Sequence, residues 1–223
     1  MKTTAKTVME TPIYGISEAA QYLRVPLTTL TYWVKGGSVP LIQLSSVDPP
    51  RLSFNNLLEC HVLSSMRSIY DVRIPKVRRA LAELTKYVQH RHPLIEQAFM
   101  TNHRDLFIDH LGEVIALTPG GQLQIRETVG HYLERVEQDP KGLFKLYPFV
   151  MGRSPKEPKL ILMNPSVGFG KPVIAGTGVS TAVVASRFNA RESIEDLASE
   201  YSVKPQQIEE AIRWEQRTAA IAA

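Results

Sequence analysis

The chain has 223 residues, 43% of them hydrophobic and 22% charged, and a net charge of +4. These are the proportions of a folded globular protein, and the length allows one large domain or two small ones. The longest apolar runs, such as Leu160 to Met163, are far too short to cross a bilayer. Residues 1–11 lack the apolar segment of a secretory signal, and the single cysteine, Cys60, excludes disulfide frameworks and cysteine metal clusters. The expected location is therefore the cytoplasm, away from membranes. Charge is unevenly spread: residues 1–90 hold 11 Lys+Arg against 6 Asp+Glu, residues 91–158 hold 8 against 9, and residues 159–223 hold 7 against 7. The basic excess at the front fits a nucleic-acid contact there.

Residues 1–11 read as a disordered arm. Ser17 is placed to cap a short helix from Glu18 to Leu23, with Ala19, Ala20 and Leu23 inward. Arg24-Val25-Pro26 forms a turn. A second helix runs from Leu27 to Lys35 on the apolar stripe Leu30, Trp33 and Val34, and Gly36-Gly37 stops it. Leu41 to Leu44 and Arg51 to Ser53 read as short strands around Asp48-Pro49-Pro50. Asn55 to Tyr70 and Ile74 to Gln89 read as helices, the second with Ile74, Val77, Leu81, Leu84 and Val88 on one face.

The middle is mixed. Leu106 to Ile108 and Val114 to Leu117 look like strands, Gly120-Gly121 marks a turn, and Arg126 to Glu137 has the pattern of an amphipathic helix. Phe144 to Val150 is a further strand candidate, and Arg153 to Pro158 has linker composition. The last part opens with a strand from Leu160 to Met163 and a glycine-rich segment from Gly170 to Thr181. A helix follows from Thr181 to Phe188. Ser193 and Asp196 make a capping box for the next helix, which carries Ile194, Leu197, Ala198 and Tyr201. A third helix starts at Pro205 with Ile208, Ala211 and Ile212 inward.

Two short helices joined by a tight turn can place the second in a major groove. Here the second helix would offer Thr28, Thr29, Thr31, Tyr32 and Lys35 outward, with Ser17 and Arg24 beside it. Hydroxyls bind phosphates or base edges, and Lys35 neutralises a phosphate. The hairpin that follows, with Arg51, can serve as a wing. The residues Ile16-Ser17-Glu18-Ala19-Ala20, Leu23, Val25-Pro26, Thr29-Leu30 and Tyr32-Trp33-Val34 resemble the MerR-like winged helix–turn–helix. Members of that family carry arginine where this chain has Thr31, so one expected backbone contact is missing. Trp33 belongs to the core stripe, and Cys60 reads as a small buried apolar residue.

The glycine-rich segment is not a phosphate loop. Gly170-Lys171 is followed by Pro172, which lacks an N–H, and Gly176-Thr177-Gly178 is followed by Thr181 where a third glycine belongs. Instead, Asn164-Pro165, Gly170 to Thr177, Ser193 to Ala198 and Ile208 to Ile212 resemble the "domain of unknown function 433" family, found in antitoxins of the Vap type. Lys204 stands where relatives have a capping Ser or Thr, and Asn164 where aspartate is usual.

Together these resemblances imply a mostly α fold with small β elements. Residues 12–92 would form a winged helix–turn–helix, 93–152 a mixed α/β middle segment, and 159–217 a three-helix domain with its own helix–turn–helix. The combination looks like the larger antitoxins paired with PIN-like ribonuclease toxins. That likeness implies a front end on operator DNA, a back end and middle on the toxin, and repression of the chain's own operon. It also implies a homodimer or higher oligomer, because palindromic operators ask for paired recognition helices. Arg187, Arg191, Arg213 and Trp214 are the candidate toxin contacts. No cofactor or metal is expected, since His61, His90, His92, His103, His110 and His131 match no ligand spacing and read as solvated side chains. No catalytic motif points to an enzyme. The rival reading is a MerR-like regulator without a toxin, sensing a small ligand through its middle segment.

Overall fold

The structure, a computed structural model, describes residues 8–37, 40–67, 75, 77–78, 91–95, 119–140 and 142–222. The described chain is mostly helical with small antiparallel sheets and divides into two compact units. One takes Glu10–Ala19 and Leu27–Glu134; the other is built chiefly from Ala20–Pro26 and Arg135–Ala223. The expected strands at 106–108 and 114–117, and most of the expected helix at 74–89, lie outside the described residues.

In the first unit a three-stranded sheet has the order β1-β3-β2, from β1 (Tyr14–Gly15), β2 (Ser46–Val47) and β3 (Pro50–Leu52). The expected strand at Leu41 to Leu44 is absent. The N–H groups of Leu41 and Ile42 both donate to the Trp33 carbonyl, at 2.8 and 3.1 Å, which turns the chain under the preceding helix and buries Ile42. Strand pairing begins only at Ser46, opposite Arg51. Residues 8–10 form a helical turn rather than a disordered arm, because Glu10 is held by Asn55 Nδ2 at 2.7 Å and by His92.

Helix α1 (Ile16–Leu23) starts before Ser17, so Ser17 sits in its first turn and does not cap it. The Glu18 carboxylate accepts the Gly15 N–H instead, at 3.3 Å. Helix α2 (Leu27–Lys35) buries Leu30, Trp33 and Val34 as its spacing requires. Helix α3 (Phe54–Arg67) begins with a reciprocal cap: Ser53 Oγ accepts the Asn56 N–H, and Asn56 Oδ1 accepts the Ser53 N–H. Asn56 Nδ2 also donates to the Gln43 carbonyl at 2.8 Å, which fixes the loop before the hairpin.

Helix α3 packs on α4 (Pro119–Leu133), with Leu58, Val62 and Met66 buried on one and Ile125, Val129 and Leu133 on the other. Gly120-Gly121 is therefore not a turn but the first turn of a helix opened by Pro119. N–H groups there have no intrahelical partner, so proline and glycine cost little. This helix ends at Leu133, and Glu137, expected to be helical, belongs to a strand.

In the second unit β4 (Val136–Gln138) pairs with β5 (Phe144–Leu146), and β6 (Ile161–Leu162) pairs with β7 (Val173–Ile174), both antiparallel. The strand expected to run from Phe144 to Val150 is thus confined to Phe144–Leu146. Three helices, α5 (Thr181–Asn189), α6 (Ile194–Glu200) and α7 (Pro205–Ala222), close over Val150, Ile161, Ile174, Val184, Leu197, Ile208 and Trp214. Ser193 Oγ caps α6 by accepting the Asp196 N–H at 3.0 Å. At α7 the Gln207 side chain reaches back to the Lys204 N–H at 3.1 Å, which supplies one half of a capping box while the half that needs a cap hydroxyl is missing.

The stretch with linker composition is packed, not loose. The Glu157 carboxylate accepts the N–H groups of Val150, Met151 and Gly152, and Arg135 Nη1 donates to the Glu157 carbonyl at 2.7 Å. A charged group that gathers three backbone donors orders the loop around it.

Three helices end in the same unusual way. Val25 N–H bonds to Ala20 O, Glu192 N–H to Arg187 O, and Val203 N–H to Ala198 O, each one residue after a left-handed residue. These are Schellman endings, and the left-handed positions hold Arg24 (φ 54°), Arg191 (φ 73°) and Ser202 (φ 54°) where glycine is the unstrained choice.

Candidate functional site

In the first unit, helical spacing sets Thr28, Tyr32 and Lys35 in one exposed row on α2, opposite the buried Leu30, Trp33 and Val34. Thr29 and Thr31 are half-buried on its flanks. Arg51 is exposed on the hairpin, tied by Nη1 to the Ile13 carbonyl at 3.3 Å, and Ser17 is exposed on α1. The structure thus brings Thr28, Tyr32 and Lys35 together as a hydroxyl- and cation-bearing stripe.

Arg78 joins this face, though its position in the sequence gave no reason to include it. Its guanidinium carbon lies 5.3 Å from the Tyr32 ring centroid, and Nη2 donates to the Gly36 carbonyl at 2.9 Å. A cation at the C-terminal end of α2 also suits that helix's dipole. The contact spans more than forty residues of chain, so no local pattern announces it.

Arg24 belongs to the other unit. There its guanidinium carbon lies 5.3 Å from the Trp214 ring centroid. Burial, together with the charges of Arg217 and Arg153, brings its pKa down to about 10.

The candidate toxin contacts separate by environment. Trp214 is fully buried, stacked on Tyr22 with centroids 6.1 Å apart, so it is a core residue and not a surface one. Its spacing with Ala211 and Ile208 on α7 carries that signal. Arg187 is consumed internally: Nε donates to Glu192 at 2.8 Å, and Nη1 to Glu200 and Tyr201 at 2.7 Å each. Those bonds hold the Glu192 and Glu200 carboxyls below their ordinary range and staple α5 to α6. Arg213 is half-exposed and paired with the buried Glu210, and Arg191 is exposed.

Sequence reasoning missed Phe169. It is 87% exposed and stands between Gly168 and Gly170, all three with positive φ (57°, 54° and 77°). This left-handed turn connects β6 to β7. The glycine-rich segment continues through Gly176 (φ 82°) into α5, with its backbone N–H groups spent on Pro172, Ile174 and Leu160 carbonyls.

The histidines differ most from expectation. His92 is 1% exposed, not solvated: Nδ1 lies 2.9 Å from Glu59 Oε2 and Nε2 lies 2.9 Å from Glu10 Oε1. Two carboxylates facing both ring nitrogens call for the imidazolium. Burial alone would lower its pKa, but the bonds and charges of Glu59 and Glu10 outweigh that and raise it above 6.5. His61 is buried as well, with Nε2 2.9 Å from the Tyr132 carbonyl. Among the described residues no cluster of His, Cys, Asp and Glu is arranged to hold a metal ion, and no helix is long and apolar enough to cross a membrane.

The chain is similar to known proteins over part or most of its length. Residues 161–214, which span β6 to α7, match the family described as "Protein of unknown function (DUF433)". Over nearly its whole length the chain is similar to a Mycobacterium tuberculosis (strain ATCC 25618 / H37Rv) protein named "Putative antitoxin VapB45". The identity is 27%, over 91% of this chain and 93% of the relative. The "Uncharacterized protein Rv2308" of the same strain is 26% identical over 92% of this chain and 91% of its own. The crystal structure of Rv2018 from M. tuberculosis superposes with a TM-score of 0.69 at 26% identity, over 91% of this chain and 98% of that one. The fold is therefore shared across most of the chain's length.

Proposed function

We propose that this chain is the antitoxin of a type II toxin–antitoxin pair, which binds and neutralises a PIN-like ribonuclease toxin and represses its own operon by binding operator DNA. The observation that carries this reading is the similarity to a named antitoxin over 91% of the chain, not merely over the segment that matches the DUF433 description. The DNA-binding part is residues 12–92, as a MerR-like winged helix–turn–helix. Helix α2 is the recognition helix, presenting Thr28, Tyr32 and Lys35, with Thr29 and Thr31 at its edges and Ser17 and Arg51 on the phosphates. Arg78 adds a cation at the end of that helix. Residues 93–152 and 159–217 contact the toxin, with Arg191 and Arg213 as surface candidates. The protein acts in the cytoplasm as a homodimer or higher oligomer, without a cofactor and without catalysis of its own.

The direct test is co-expression with the gene beside it. A neighbour that is a small ribonuclease, co-purifies with this chain and loses its nuclease activity in the complex supports the proposal. Two proteins that elute separately would sink it. For the DNA arm, gel shift on the upstream region should show salt-sensitive binding that Lys35→Ala and Arg51→Ala each weaken severalfold. Binding indifferent to both variants removes α2 and the hairpin from the interface.

A further inference from the structure

Arg24 sits in a left-handed conformation that glycine would take without steric cost. Its side chain turns inward within its unit. The guanidinium stacks over Trp214, and its Nε and Nη2 groups are buried with no hydrogen-bond acceptor among the described residues. A buried guanidinium donor ordinarily has an acceptor, so these two are aimed at something that the described side chains do not supply.

Two more cations lie near Arg24. Arg153 Nη2 donates to the Arg24 carbonyl at 2.7 Å, and Arg217, three residues after Trp214 on α7, reaches Met151 Sδ at 3.7 Å. The charges of Arg217 and Arg153 both oppose that of Arg24, as expected of like charges held close together. Glu157 and Glu210 lie close enough to favour the charged form of Arg24, but neither meets its Nε or Nη2. Glu157 is engaged by three backbone N–H groups, and Glu210 by Arg213. Three guanidiniums with two free buried donors and an aromatic floor have the chemistry that recognises phosphate and carboxylate groups.

We propose that Arg24, Arg153 and Arg217 form an oxyanion-binding site over the Trp214 ring, which takes a small free phosphate or carboxylate ion. The two unpaired donors lie below the surface, so a compact ion reaches them more readily than the backbone of a duplex. The site is independent of the antitoxin reading: it concerns a small ligand, and its test needs neither toxin nor operator.

The test is calorimetric titration of the full chain with inorganic phosphate and with citrate, against chloride at matched ionic strength. The variants are Arg24→Gly, which suits the left-handed backbone and removes the whole side chain with its guanidinium, and Arg217→Gln, an exposed position. Lys171→Gln in the same unit is the control. The expected result is saturable binding of at least one ion, weakened about tenfold by Arg24→Gly and at least severalfold by Arg217→Gln, with the control unchanged. Absence of saturable binding up to about 50 mM of either ion overturns the proposal. So does equal weakening by Lys171→Gln, which would mean diffuse charge attraction. Phosphate and citrate that fail to bind while Arg217→Gln abolishes the gel shift would reassign the cluster to DNA and refute the free-ion site.

Discussion

Arg135→Met is expected to loosen the unit that carries the three C-terminal helices by about 3–5 kcal/mol. Arg135 is only 3% exposed, and its guanidinium donates to the carbonyls of Tyr147 and Glu157, each at 2.7 Å, and of Pro148 at 3.1 Å. It also lies 4.8 Å from the Phe149 ring centroid. Methionine preserves the volume of the stem but takes the donor from these three carbonyls and from that of Pro158, 3.4 Å from Nη2. A hydrogen bond to a charged group contributes about 1.5–3 kcal/mol, so three such losses would come to about 4.5–9 kcal/mol if they added. They do not add in full, because burial lowers the pKa of the guanidinium and so already costs energy that methionine avoids. In a unit of this size each kcal/mol shifts Tm by about 4–8 °C, so the melt should fall by more than about 10 °C. Urea unfolding measures the loss, and amide exchange at Val150, Met151 and Gly152 localises it, since those N–H groups depend on Glu157. A loss below about 1 kcal/mol would refute the reasoning, because it would mean that water satisfies the carbonyls and Arg135 is not what anchors the loop.

Arg191→Gly should raise stability by about 0.5–1 kcal/mol, because relief of a left-handed arginine outweighs the added freedom of the unfolded chain. Arg191→Ala should not, and a glycine variant that melts earlier than the alanine one would contradict the φ argument. Gly168→Ala should cost about 1–2 kcal/mol in thermal melts, since its φ is 57° and an added Cβ would stand 3.0 Å from Val173 Cγ1; an unchanged melt would show that this turn is not constrained. For His92 the sign follows from a folded pKa above 6.5: its contribution is complete below that value and is lost as pH rises through the raised pKa. Glu10 is lowered from 4.5, so its contribution fades only as pH falls through its own range, well below this window. Melts at about pH 6 to 9 should therefore show stability declining toward alkaline pH, and because burial also raises Glu59, the double variant His92→Gln/Glu59→Gln should flatten the decline; a double variant that keeps the wild-type slope would remove this pair as its source.

What was legible in the sequence had local causes. Leu27–Lys35, Thr181–Asn189 and the start of α7 at Pro205 follow from apolar residues at helical spacing, and so does the outward row Thr28, Tyr32 and Lys35. What was not legible depends on partners distant in the chain. Leu41 and Ile42 look like a strand until the Trp33 carbonyl captures both of their N–H groups. His92 looks solvated until Glu10 and Glu59 close around it from far upstream. Arg78 meets Tyr32 only in the folded unit, and Trp214 could be assigned to a surface or a core only by packing. The endings of α1, α5 and α6 were hidden for another reason. Their left-handed residues are Arg24, Arg191 and Ser202, and the usual glycine mark is missing.

The turn at Gly168-Phe169-Gly170 has a consequence for how the chain survives in a cell. An almost fully exposed phenylalanine would ordinarily invite cleavage by proteases that cut after aromatic residues. Such enzymes take their substrate as an extended strand, and three successive left-handed residues are not in that conformation. To be cut, this segment would have to open the turn, breaking the bonds from the Gly170 and Lys171 N–H groups to the Val167 and Gly168 carbonyls. The turn therefore sets a conformational cost on cleavage at Phe169 despite its exposure.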